Sequence, residues 1–172
     1  MKIAVIGWEI PPTFTGGLGI HTYNLFGELS KFIDIDLYVP NLGPLYDHYP
    51  FNVIPVEIGI KGKMGNYGSI SYDFYGAVNR YNSLIGEIND LRGAKIIHCH
   101  DWITFRAGIE LKEKFNLPLV LTVHSTEIDR SGGFYPQSWI MDIEKEGMEM
   151  ADRIIAVSHY TKKLIMNIYN IP

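Results

Sequence analysis

Apolar positions along this chain fall into short runs that alternate between two spacings. Residues Ile3-Ala4-Val5-Ile6 are continuous and mostly β-branched, the pattern of a strand buried on both faces of a parallel sheet. Ile20, Tyr23, Leu25, Phe26, Leu29, Phe32 and Ile33 then recur at close to 3.6 residues, which predicts a helix. Residues 35–39 read as a second strand stopped by Pro40, and 41–50 as a loop rich in Pro, Gly and Asn. Residues 51–58 are extended, with Pro55 better suited to an edge strand than to a central one. Residues 61–71 carry three glycines and predict an exposed, mobile loop.

The alternation continues to the end. Ala77, Val78, Tyr81, Leu84, Ile85, Ile88 and Leu91 predict a helix over 75–91. A short buried strand is expected at 95–98, a helix at 103–115 and a clear strand at 119–123. A helix over 137–150 and a strand over 153–157 follow, and Ser158 has the side chain to cap a closing helix. Repeated β-α units of this kind predict an α/β fold with a doubly wound, mostly parallel sheet. No internal repeat or low-complexity segment interrupts them.

Bulk properties narrow the function classes. The 172 residues fit one domain with a full core, at 47% hydrophobic and 20% charged residues. A formal net charge of −4 and the lack of a basic stripe argue against a nucleic-acid partner. A lone cysteine leaves no internal disulfide and suits a reducing compartment. No leader pattern and no run near the ~18 apolar residues of a membrane span is apparent, so the expected setting is cytoplasmic, with no membrane partner.

Chemistry is concentrated where strands end. In doubly wound sheets, ligands sit beyond the carboxyl ends of the strands. The first strand leads through a long loop into Thr15-Gly16-Gly17-Leu18-Gly19, a turn that opens a helix and suits an anion. The loop is too long for a dinucleotide fingerprint, because Trp8 to Phe14 intervene before the paired glycines. A plainer role is a helix entry whose glycines permit positive φ. The fourth strand ends in His98-Cys99-His100-Asp101-Trp102, the fifth in His124-Ser125-Thr126-Glu127 and the last in Ser158-His159.

Several roles stay open for these residues. Alternation along an extended segment puts His98 and His100 on one face and Cys99 on the other. With Asp101 and His124 they are competent metal ligands, although no paired Cys or helical His-x-x-x-His spacing supports a metal. They also suit backbone hydrogen bonding or the recognition of sugar hydroxyls. Trp102 offers a flat face or a core ring. Cys99 and Ser158 are poor nucleophiles, the first buried and the second without a nucleophile elbow. Phe134, Tyr135 and Trp139, after Gly132-Gly133, form either a carbohydrate platform or packing beneath a loop.

Four segments carry a family resemblance. Glu9-Ile10-Pro11-Pro12-Thr13-Phe14-Thr15-Gly16-Gly17-Leu18 resembles the amino-terminal signature of glycogen and starch synthases. His98 to Trp102 resembles their H-x-H-D-W segment, Thr122-Val123-His124 their T-x-H segment, and Ala151 to Ser158 their A-D-x-x-x-x-V-S element. The matches stand in family order and span nearly the whole chain. They point to retaining glycosyltransferases of the GT-B architecture.

The resemblance implies a Rossmann-like, acceptor-side amino-terminal domain over residues 1–172 of an enzyme that moves glucose from a nucleotide-glucose donor, UDP- or ADP-glucose, to an α-1,4-glucan with retention. It implies that Thr15, Gly16, Gly17 and Leu18 meet the donor diphosphate. Asp101 and His124 would face the transferred glucose as catalytic residues, with Glu9, His98, His100, Trp102 and Tyr135 around sugar and acceptor. No metal and no cofactor beyond the substrates is expected. Phe14 stands where the family often has lysine, and Ser125 where bacterial members usually have asparagine. Nothing in the chain resembles the second, nucleotide-binding domain, so the isolated domain is expected to be inactive. A stand-alone carbohydrate-binding module and a metal-dependent hydrolase are the other readings.

Overall fold

The computed structural model describes residues 1–13, 16–59 and 72–172. In chain order the elements are β1 (Lys2–Ile6), α1 (Gly17–Leu29), β2 (Asp34–Pro40), β3 (Asn52–Val56), α2 (Tyr72–Gly86), β4 (Ile96–His100), α3 (Trp102–Phe115), β5 (Leu119–Val123), α4 (Glu127–Arg130), α5 (Ser138–Met150), β6 (Arg153–Ala156) and α6 (His159–Ile168). The expected loop over 61–71 lies outside the described residues.

The strands form a sheet in the order β3-β2-β1-β4-β5-β6, and every pairing is parallel. The chain winds outward from β1 to β3, crosses back through α2 to β4, and winds out the other way. The reversal therefore lies between β1 and β4, the place where such sheets open a crevice. Pro55 sits on the edge strand β3, paired with Val39, where a missing N–H breaks no ladder on its outer side.

Alternation along the strands divides the core in two. Ile3 and Val5 of β1 join Ile35, Leu37, Val39, Phe51 and Phe26 of α1 on one face. Ala4 and Ile6 point to the other face, with Ile97, Cys99, Leu119, Leu121 and the layer of α2, α3 and α5. Two close approaches tighten that layer. A Cβ at Gly108 would lie 2.5 Å from Cys99 Sγ, and one at Gly147 would run into the Phe105 ring, so α3 packs directly on β4 and α5 directly on α3.

The boundaries differ from the sequence expectations in instructive ways. α1 buries Leu18, Thr22 and Phe26 and stops at Leu29, leaving Phe32, counted in its repeat, 82% exposed. α2 ends at Gly86, although Ile88 and Leu91 continue its spacing. The Ile88 N–H bonds to the Ile85 carbonyl three residues back, and Arg92 and Gly93 then turn through positive φ. Leu91 is buried all the same, as part of the turn into β4. β4 runs on to His100, two residues further than expected, and α4 is an additional short helix.

Candidate functional site

The site grows from the carboxyl ends of β1, β4 and β5 at the reversal. β4 alternates as its sequence requires. His98 and His100 turn to the α1 face, stacked with ring centroids 4.6 Å apart and set edge-on to Phe26, while Cys99 turns to α3. Thr122 of β5 meets His98, with its Oγ1 2.8 Å from His98 Nε2. His98 is thus a hydrogen-bonded core residue rather than a residue projecting into the crevice.

Beyond the strand ends, His100 Nδ1 lies 3.1 Å from His124 Nε2. His21, on α1, sets its ring edge-on to His124 at 4.6 Å and lies 5.8 Å from His100. Burial lowers all four imidazole pKa values. His98 and His124 fall to about 4, His100 falls well below its ordinary value, and desolvation and His124 lower His21. Charging any of them would bury a cation beside three other rings, so at neutral pH the cluster is uncharged. The Nε2 atoms of His21 and His100 are buried without a hydrogen-bond partner among the described residues.

Asp101 follows in an uncommon backbone state, φ 57° and ψ 167°, a region that side chains other than glycine rarely enter. Contacts from three elements hold it there. Its N–H donates to Thr122 O at 3.0 Å, its carbonyl accepts from the Thr104 N–H and hydroxyl, and its Oδ1 accepts the His124 N–H at 2.7 Å. The carboxylate thereby fixes where β5 delivers His124.

The glycine turn differs from expectation. Gly16 caps α1 with φ −67°, so positive φ is not its reason. A Cβ there would stand 2.7 Å from Glu9 Oε2, so any larger residue would have to displace the Glu9 carboxylate. Glu9 itself is 1% exposed, with its carboxylate against the start of α1. Gly17 opens α1 with nothing within 4 Å of a Cβ, which leaves its backbone accessible to an anion. Leu18 is a core side chain, so only its backbone is available to a ligand, and Thr15 lies outside the described residues.

A cavity of about 430 Å³ is lined by Phe74, Tyr75, Trp102, Ser125, Glu127, Arg130, Ser131, Tyr135, Gln137 and Ile140, of which Trp102 and Ser125 directly follow Asp101 and His124 in the chain. Trp102 is mostly packed, edge-on to Phe74 and Trp139, with the Arg130 guanidinium 5.9 Å from its ring centre. Tyr135 is 96% exposed at φ 51° on the cavity rim, whereas Trp139 packs against Tyr75 and Trp102. Of the three aromatics after Gly132-Gly133, Tyr135 alone lines the cavity.

One wall of the cavity is a charged knot. Arg130 pairs with Glu127 at 3.2 Å and Glu144 at 2.6 Å and donates to the Ser125 carbonyl. Glu127 also accepts the Gln137 N–H, and Tyr169 donates its hydroxyl to Glu144. Burial raises the Glu144 pKa, with Arg130 opposing. Sequence reasoning missed this knot and His21. The knot's signal was local: Thr126 and Asp129 form a capping box that starts α4 and aims Arg130 inward. His21 was hidden among the apolar residues used to read α1.

The hydrolase ligand set is not assembled as expected. His98 is committed to Thr122 and Asp101 Oδ1 to the His124 N–H, and the imidazole group that does converge contains His21 instead.

Comparisons with known proteins agree with this architecture. An uncharacterized glycosyltransferase of Methanocaldococcus jannaschii is 30% identical over all of this chain and 44% of its own length. The α-maltose-1-phosphate synthase of Mycolicibacterium smegmatis is 28% identical over 98% of this chain and 41% of its own. The chain thus spans less than half the length of these relatives. Sucrose-phosphate synthase from Thermosynechococcus elongatus superposes with a TM-score of 0.72 at 18% identity, covering 95% of this chain and 44% of that one. This likeness shows the fold, a Rossmann-like α/β domain. The family model for Glycosyltransferase Family 4 matches residues 15–172, and the chain belongs to that family.

Proposed function

We propose that this chain is the acceptor-side half of a retaining glucosyltransferase that moves glucose from UDP- or ADP-glucose to an α-1,4-glucan. The observation that carries the reading is the convergence at the reversal between β1 and β4. His124 is fixed there by Asp101, the open start of α1 lies at the same sheet edge, and Trp102 and Ser125, the residues that follow Asp101 and His124, line the aromatic cavity. In this reading the Gly16-Gly17 backbone meets the donor diphosphate at the positive end of α1. His124 and Asp101 face the transferred glucose, where they help stabilise an oxocarbenium-like state. His100 positions His124 through the 3.1 Å ring contact. No metal takes part in the transfer.

The charged knot supports a neutral acceptor. Arg130 is the cation among the described lining residues, and two carboxylates already neutralise it. A phosphorylated sugar in the cavity would meet net negative charge, whereas a glucan offers hydroxyls to Ser125, Ser131 and Gln137 and an apolar ring face to Tyr135. The volume lies within the range of small-molecule sites, roughly 300–1,000 Å³.

Saturation-transfer NMR on the purified chain distinguishes these acceptors. Maltotriose should give signals that Tyr135→Ala abolishes, and α-glucose 1-phosphate should give weaker ones; a preference for the phosphate would overturn the neutral acceptor. In the complete two-domain enzyme His124→Ala should lower turnover by at least ~10²-fold. The isolated chain should not transfer glucose, because the other half of the cleft is needed.

A further inference from the structure

The three histidines His21, His100 and His124 come from three different elements, yet each offers a ring nitrogen within 4.8 Å of the other two. We propose that they form a site for one borderline transition-metal dication of the Zn²⁺, Ni²⁺ or Cu²⁺ class. Two features beyond proximity support it. The Nε2 atom of His21 is buried with no hydrogen-bond partner among the described residues, which leaves coordinating capacity unused. His100 Nδ1 and His124 Nε2 already stand 3.1 Å apart. A tetrahedral zinc with bonds of about 2.1 Å separates its nitrogens by about 3.4 Å. Closing the third side therefore asks for a small rotation of His21, which is only partly buried.

The donor set selects the metal. Three imidazoles and no oxygen suit Zn²⁺, Ni²⁺ and Cu²⁺ and give Mg²⁺ or Ca²⁺ nothing they prefer. His98 does not join, because its Nε2 is held by Thr122. A three-nitrogen site keeps a fourth position for water or another small ligand. Occupation would take the His124 ring from the sugar, so the metal acts as an inhibitor of transfer. This consequence, unlike the site itself, rests on the transferase reading.

Calorimetric titration of the purified chain with ZnCl₂, paired with the visible spectrum of the Co²⁺ form, tests the site without any activity assay. We expect one equivalent bound at micromolar affinity or tighter, and no response to MgCl₂. His21→Gln and His124→Gln should each weaken binding at least tenfold, with circular dichroism showing that both variants are folded. His21→Asn serves if His21→Gln is not. The exposed His48 and His159 supply the control, and His48→Gln and His159→Gln should bind as the parent does. Absence of stoichiometric binding would overturn the site, as would affinity that survives His21→Gln and His21→Asn but falls in the His48 or His159 variants. Zinc that binds without slowing transfer in the complete enzyme would overturn the inhibitory role alone, and a complete enzyme with no transferase activity would count against the transferase reading alone.

Discussion

At the scale of single residues, the four packed imidazoles make the fold sensitive to acid. An unfolded histidine titrates near 6.5. In the folded chain His98 and His124 titrate at about 4, while His100 and His21 are also lowered. Between pH 6.5 and 4 the unfolded state therefore binds more protons, and stability falls as pH falls through that window. Above pH 6.5 these groups contribute their full share, and the slope from them vanishes. For the buried His98 the whole effect is about 3 kcal/mol. The thermal midpoint should hold from pH 8 to 7 and drop steadily from 6.5 to 4, with a shallower drop in His98→Gln. A midpoint indifferent to pH in that window would show that the rings carry charge in the folded state. Asp101 belongs to the same scale. Its strained backbone of about 1–3 kcal/mol is tolerated because three strand and helix groups and the His124 N–H all hold it.

At the scale of elements, the helices can sit so close only because glycine stands at two crossings. Gly147 lies in the last turn of α5, where alanine would gain up to about 1 kcal/mol of helix propensity. A Cβ there would approach the Cβ of Phe105 to 2.9 Å, and that rigid part of the side chain cannot swing aside. Overpacking of this kind costs about 1–3 kcal/mol, so it outweighs propensity. Gly147→Ala should lower the thermal midpoint by a few degrees in differential scanning calorimetry; a rise would mean that α5 can slide. The elements themselves were mostly legible. Ile3 to Ile6 and Leu119 to Val123 read as buried strands because both faces of those strands are covered, so the runs are apolar but for Thr122, a β-branched residue whose hydroxyl is satisfied by His98. The end of α2 was not legible, since Ile88 and Leu91 serve the same core from a turn that mimics helical spacing. α4 escaped because four residues carry no period. His98, His100 and Asp101 were legible as a constellation at a strand end, but the separation of a core His98 from a paired His100 depended on Thr122 and His124 of the neighbouring strand and its end. The burial of Glu9 was not legible either, because its carboxylate lies against Gly16, a contact that is not local in sequence.

At the scale of the whole molecule, the parallel sheet puts every strand's carboxyl end on one rim, and the site is the point on that rim where winding reverses. The α1 face is covered unevenly. Among the described residues α1 is the helix that supplies its core, with Ile10 and Phe51 added from loops, and Ile155 of β6 on that face is 47% exposed. The opposite face is sealed by α2, α3 and α5, and Cys99 lies at its centre, fully buried beneath Gly108. Burial pushes this thiol's pKa up. As the one cysteine in the chain, it makes the molecule its own clock of opening. At pH 8 iodoacetamide should leave the native protein unmodified over minutes and alkylate one equivalent at once in guanidinium. The slow native labelling rate then reads how often the sealed layer parts, with no probe introduced.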